Sequence, residues 1–255
     1  MSMFRNIYRH FLSEETRYWL YKLRHPDEFL RLKTGVNRHP KGNFSLRGYC
    51  EKQAIFVHIT KAAGTSVASS LFGELPYHYT ASQYRVIFGR KDFNRYFKFT
   101  FVRNPWDRLY SAYSYLKNGG WDDNDKAWSA RNLAEINDFE QFVTQWLTAD
   151  KLKSHIHFWP QSHFLLDAKG RVLVDYLGYF EEIDRDFKHI AARVNPAAVL
   201  ARTNTSERGS YLDIYSPAAI AKVAELYAED IELFGYRFDG YQRKRVEDGT
   251  LTDDE

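Results

Sequence analysis

The stretch FVHITKAAGTSVASSLFG, residues 56–73, constrains the fold more than any other part of the chain: it begins like a buried strand and ends like a helix. The run AIFVHI, residues 54–59, is short, apolar and β-branched, which predicts a strand covered on both faces and hence a parallel sheet. Thr65 and Ser66 mark the start of the helix that follows, and Gly73 lies just past its end. A strand that opens directly into a helix through small residues makes an anion site. The first N–H groups of the helix lack internal acceptors, and its dipole adds partial positive charge there. At this seam Lys61 offers a mobile cation, Ala62, Ala63 and Gly64 let the chain turn tightly, and Thr65 and Ser66 offer hydroxyl donors. A nucleotide-hydrolysing P-loop carries its lysine after the last glycine, beside a hydroxyl for magnesium. Here Lys61 stands three residues before Gly64, which suggests a relative of that layout without its metal arrangement.

A second seam follows in YFKFTFVRNPWDRLYSAYSYLK. Phe97, Phe99 and Phe101 alternate with Lys98, Thr100 and Val102, which is strand periodicity. Asn104 suits a helix cap, Pro105 the first helical position and Asp107 the positive helix end, so a helix begins here with Leu109, Ala112, Tyr113 and Leu116 as its apolar face. Arg103 at the strand end and Ser111 two turns into the helix can converge on one oxyanion. Two anion sites on adjacent strand ends suit a ligand with two separate phosphate groups.

Further along, GGWDDNDKAWSARN (119–132) reads as a polar loop, RVLVDYLGYFEEIDRDFKHIAARV as strand, loop and helix, and SPAAIAKVAELYAEDIELFGYRF as one capped terminal helix ending at Gly235. Strands alternating with helices imply an α/β fold, a mainly parallel sheet flanked by helices. With 255 residues, 44% hydrophobic and 17% aromatic, the chain is expected to be one such domain with extensions.

Charge is unevenly spread. Residues 1–48 hold ten Lys or Arg against four Asp or Glu, and residues 244–255 hold two against five. This predicts a basic, helical N-terminal extension (1–48) and an acidic C-terminal tail (241–255). Phe4, Ile7, Tyr8, Phe11 and Leu12 lie at helical spacing among basic residues. They form either a helix packed on its own domain or a face that meets an anionic membrane, giving peripheral membrane contact through residues 1–33. The opening residues show no signal-peptide core, and the single cysteine, Cys50, excludes an intramolecular disulfide, so a cytoplasmic setting is expected. A net charge of +3 without a basic aromatic stripe argues against a nucleic-acid partner.

The segments IFVHITKAAGTS and FVRNPWDRLYSAY resemble the two signatures of the carbohydrate sulfotransferases of the second large sulfotransferase group. The resemblance continues through HFWPQSHFL, VDYLGYFEEIDRDF and the NTSERGSY region, roughly residues 50–240, so residues 49–240 would be the sulfotransferase domain. This chain departs from the group at Thr60 and Ala62, where proline and threonine are usual, and Ala62 lacks a hydroxyl donor for the donor's 5' end. The resemblance implies a P-loop NTPase-like sulfotransferase fold and a donor, 3'-phosphoadenosine 5'-phosphosulfate (PAPS). By position, Lys61, Ala62, Ala63, Gly64, Thr65 and Ser66 would hold the 5' phosphosulfate, with Lys61 at the bridging oxygen. Arg103 and Ser111 would hold the 3'-phosphate, and Arg208 would add a further contact from a lid.

Sulfuryl transfer moves a group in line between two oxygens, and catalysis is mostly positioning and stabilisation of the leaving oxygen. With Lys61 neutralising the leaving group no metal is required, but the acceptor hydroxyl needs a base, and histidine fits near neutral pH. His78, in YHYTASQYRVIFG, is the first candidate, His58 an orienting neighbour or second candidate, and His155 or His157 the remaining ones. His155, His157 and His163 have no acidic or cysteine ligand at a recognised spacing, so no metal site is expected. The leading expectation is transfer to a hydroxyl of a glycan or glycolipid. The alternatives are a P-loop-type kinase using ATP and a non-catalytic nucleotide-binding module.

Overall fold

The computed structural model describes residues 12–201 and 210–254. Arg208, and all of the basic amphipathic segment before Leu12, lie outside the described residues. Helices α1 (Glu14–Arg24) and α2 (Pro26–Thr34) come first. Then β1 (Ala54–Val57) leads into α3 (Gly64–Phe72), followed by α4 (Ala81–Phe88). Next, β2 (Phe97–Val102) leads into α5 (Pro105–Lys117), followed by α6 (Asp123–Asn132). Strand β3 (Tyr176–Tyr179) leads to α7 (Ile183–Val194), α8 (Pro217–Leu226) and α9 (Ala228–Phe234). A closing hairpin pairs β4 (Lys244–Glu247) with β5 (Thr250–Asp253).

β1, β2 and β3 form a parallel sheet with β2 in the centre, pairing Ala54 with Phe97 and Phe99 with Tyr176. All six residues of β2 are buried, so the Phe/Lys/Thr alternation does not mark one wet face. Lys98 keeps its ammonium inside by pairing with Asp175 at 2.9 Å and donating to the Tyr96 carbonyl. The fold is therefore mixed α/β, a parallel three-stranded sheet flanked by helices, as its alternating apolar runs demand.

Helix α5 begins as its sequence dictates: the Asn104 side chain accepts from the Trp106 N–H, and Pro105 opens the first turn. Leu109, Ala112, Tyr113 and Leu116 are all buried in a second core that also holds Phe142, Phe158 and Tyr227. Arg108, Ser111 and Tyr115 recur at spacings of three and four, so they share a different stripe of the same helix.

Two segments differ from expectation. Residues 119–132 hold helix α6, because the Asp122 side chain accepts from the N–H groups of Asn124 and Asp125 and so nucleates a helix with no apolar stripe to announce it. The terminal helix is broken at Tyr227, which ends α8 and starts α9 while its hydroxyl donates to the Phe158 carbonyl. The acidic tail is structured: Arg243, just before β4, pairs with Asp186 of α7 at 2.7 Å and with Asp254 at 3.0 Å.

Candidate active site

The loop between β1 and α3 turns by placing Lys61 (φ 65°) and Ala63 (φ 61°) in the left-handed region. Neither is glycine, and such a conformation costs of order 1 kcal/mol or more per residue, so the surroundings must hold it. Gly64 does a different job from the one its sequence suggests. It is helical, and a Cβ added there would overlap the ring of His58. The glycine makes room for an imidazole, not for a turn.

Two guanidiniums reach the loop from the second seam. Arg103 donates through Nη1 to the Lys61 carbonyl at 3.0 Å and pairs with Asp107 through Nε at 2.7 Å and Nη2 at 2.6 Å. Its backbone is pinned by Gln161, which both accepts from the Arg103 N–H and donates to the Arg103 carbonyl. Arg108, only 1% exposed, donates through Nε to the Thr60 carbonyl, through Nη1 to the Trp159 carbonyl and through Nη2 to the Thr60 hydroxyl. The departure at Thr60 thus has a partner, since its hydroxyl meets Arg108 and its carbonyl anchors the loop. Ser111 is buried four residues past Asp107, on the side of α5 where Arg103 is held.

His58 is buried between Phe56, stacked at 5.4 Å between ring centroids, and His78, whose ring centroid is 4.2 Å away. Burial, then the charges of His78 and His157, push the His58 imidazole well below its ordinary range. Its backbone carbonyl lies 2.9 Å from His78 Nδ1. A carbonyl can only accept, so His78 carries its proton on Nδ1 and presents a lone pair on Nε2. Burial also lowers the His78 pKa, which keeps that lone pair available at neutral pH. The structure thus brings His58 and His78 together, with the His58 carbonyl fixing the orientation and tautomer of the His78 ring.

A third group was not legible in sequence. Helix α6 delivers Asp125, whose Oδ2 accepts from the Tyr115 hydroxyl at 2.7 Å and the Trp121 N–H at 2.8 Å, and whose Oδ1 lies 3.2 Å from His155 Nε2. Burial alone would raise the Asp125 carboxyl. Hydrogen bonds from His155, Trp121 and Tyr115 outweigh it and hold the group below the usual carboxylate range. The Lys61 ammonium lies 4.0 Å from the centre of the Tyr115 ring, so this group joins the donor loop. His157 is buried beside Tyr115, its Nδ1 has no hydrogen-bond partner, and burial together with the charges of His155 and Lys61 pushes its pKa well down.

No acidic ligand stands at a recognised spacing in the sequence, but the fold brings one from afar: one donor atom each from Asp125, His155 and His157 fall within 4.8 Å of one another. His163 takes no part and packs against Trp159. Two of the three groups are already committed to each other. His155 Nδ1 accepts from the His157 N–H, so Nε2 carries the proton and points it at Asp125. That arrangement is an internal hydrogen-bond pair, not an open ligand set.

The sulfotransferase family model matches residues 50–237, and the chain belongs to that family. It is therefore a transferase whose chemistry is sulfuryl transfer. An uncharacterized protein of Archaeoglobus fulgidus is similar to it, 29% identical over 127 residues, or 49% of this chain and 91% of that relative. No solved structure matches.

The fit of His58 over Gly64 yields a direct test. Gly64→Ala is expected to destabilise the protein by ~2–3 kcal/mol, since the ring has no free volume to enter. Combining it with His58→Ala should recover at least ~1 kcal/mol of the summed losses. Urea melts of the two single variants and the double variant measure this coupling, and simple additivity would contradict it.

Proposed function

We propose that this protein transfers the sulfuryl group of PAPS to a hydroxyl of a glycan or glycolipid. The observation that carries this reading is the joining of two strand-to-helix seams through Arg103 and the Lys61 carbonyl, beside a histidine whose proton is already committed. The loop Lys61–Ser66 at the start of α3 would hold the 5' phosphosulfate, and Arg103 with the buried Ser111 the 3'-phosphate. This is the placement a P-loop-like fold would give. Asp107, paired with Arg103, would share that guanidinium with the phosphate or yield it.

In the transfer, the acceptor oxygen bonds to sulfur as the bond from sulfur to the bridging phosphate oxygen breaks. The acceptor's proton passes to His78 Nε2, and adenosine 3',5'-bisphosphate leaves with its new charge against Lys61. A cytoplasmic setting and peripheral contact with an anionic membrane through residues 1–33 belong to the same reading. Trp19, Leu23 and Leu30 are exposed on α1 and α2 beside Arg24 and Arg31, which supports that contact.

Transfer of radiolabelled sulfate from PAPS to a panel of glycans and glycolipids tests the proposal. Label should reach at least one acceptor, and adenosine 3',5'-bisphosphate should raise the melting temperature where ATP with magnesium does not. Stabilisation by ATP with magnesium and no sulfate transfer would overturn it.

A further inference from the structure

Tyr115 stands at the meeting point of groups that sequence reasoning had kept apart. Its ring faces the Lys61 ammonium at 4.0 Å, and its hydroxyl donates to Asp125 at 2.7 Å. Asp125 is fixed in turn by the Trp121 N–H and by His155. Lys61 sits on a left-handed backbone whose carbonyl is held by Arg103, so the root of its side chain is fixed at one end. A lysine still has four rotatable bonds beyond that root, and its ammonium needs a second constraint to stay aimed at a single oxygen.

We infer that Tyr115 is the positioning residue for the catalytic lysine: its ring is the platform that fixes the Lys61 ammonium, and Asp125 holds the ring in place. Two effects act together here. The ring face attracts the cation through its quadrupole, and a phenol that donates to a carboxylate carries more electron density into that face. The ring also covers one side of the ammonium, which strips water from it and strengthens its pull on a developing negative charge. His155 completes the support by offering its Nε2 proton to the other oxygen of Asp125, so the carboxylate cannot rotate without losing a partner. This role rests on reading Lys61 as the group that neutralises the leaving oxygen.

The test compares Tyr115→Leu, Tyr115→Phe and Asp125→Asn with the full-length protein. For Tyr115→Leu, kcat for sulfuryl transfer should fall about 5- to 30-fold, the size expected of a partly desolvated cation–π contact, while KM for PAPS stays within about twofold. Tyr115→Phe keeps the face and should restore most of kcat. Asp125→Asn should lie between the two.

A second readout does not need activity: the rate at which acetic anhydride acetylates Lys61, followed by mass spectrometry at fixed pH. It should rise severalfold in Tyr115→Leu and little in Tyr115→Phe. An unchanged kcat and acetylation rate in Tyr115→Leu would overturn the platform. So would an equal loss in the Phe and Leu variants, because the hydroxyl and not the ring would then be what matters. If the wild type transfers no sulfate at all, the reading of the site fails, while the acetylation rates still report whether Tyr115 holds Lys61.

Discussion

Arg108→Ala is expected to cost about 3–5 kcal/mol of folding stability, more than any other single change in the site. The side chain is 1% exposed, and its loss would leave a large void together with three oxygen atoms that it now satisfies: the carbonyls of Thr60 and Trp159 and the Thr60 hydroxyl. The carbonyls are the costly part, because a buried main-chain acceptor has no rotamer by which to find a new partner. Arg108→Lys should recover less than half of the loss, since one ammonium on a flexible stem cannot reproduce a planar fork aimed at two elements. Urea titration will show the effect as a lower midpoint at unchanged slope. A loss below about 1 kcal/mol would mean that water fills the space and satisfies those carbonyls.

His78→Ala should lower turnover by about 10²- to 10⁴-fold while leaving the binding of adenosine 3',5'-bisphosphate unchanged. His78→Asn sharpens the result, because its amide can still donate to the His58 carbonyl but offers no Nε2. If Asn restored turnover, the role of His78 would be to hold the loop and the base would lie elsewhere.

The pH profile has a definite sign. His78 must be neutral to accept a proton and its pKa is lowered below 6.5, so activity should be on its plateau at neutral pH and fall only on the acid side of 6.5. Stability should follow the same direction. His58, His78 and His157 all have folded values below the ordinary 6.5, so below pH 6.5 the unfolded chain binds more protons than the native protein. Stability present above pH 6.5 is then lost as pH falls toward the folded values, by at most ~1.4 kcal/mol per pH unit for each imidazole. Melting temperatures between pH 7.5 and 5 will show a steep decline. A flat profile would mean that the three imidazoles are not buried as neutral groups.

The parts of the fold that were legible in sequence are those where one local signal dominates. AIFV is an apolar run and FKFTFV an alternation of phenylalanines with other residues, and both are strands; Asn104 and Pro105 announce α5 without ambiguity. Helix α6 was hidden because Trp128 is its one large apolar residue, too few to show a stripe, and it starts from one Asp122 cap, which looks the same in a loop.

The site divides along the same line. The seams could be read because a strand end followed by a helix start is a local pattern. The joining of Asp125 and Tyr115 to His155, itself a candidate from the sequence, could not, because the three meet only when α5, α6 and the 155–157 turn pack together, across 10 to 40 positions of chain. Arg108 was invisible for another reason. An arginine in a helix normally extends into water, and nothing local distinguishes the one that turns inward to hold a loop 48 residues away.

Two of the three acceptors of Arg108 are main-chain carbonyls, and every residue type carries one. The side chain at position 60 is thus open to drift over evolutionary time as long as the arginine persists. Threonine adds a hydroxyl contact here, and the proline usual in similar sequences would lose that contact yet still offer its carbonyl. Substitutions at 60 and at 108 should therefore have very unequal histories across the family: many residues tolerated at the first, almost none at the second.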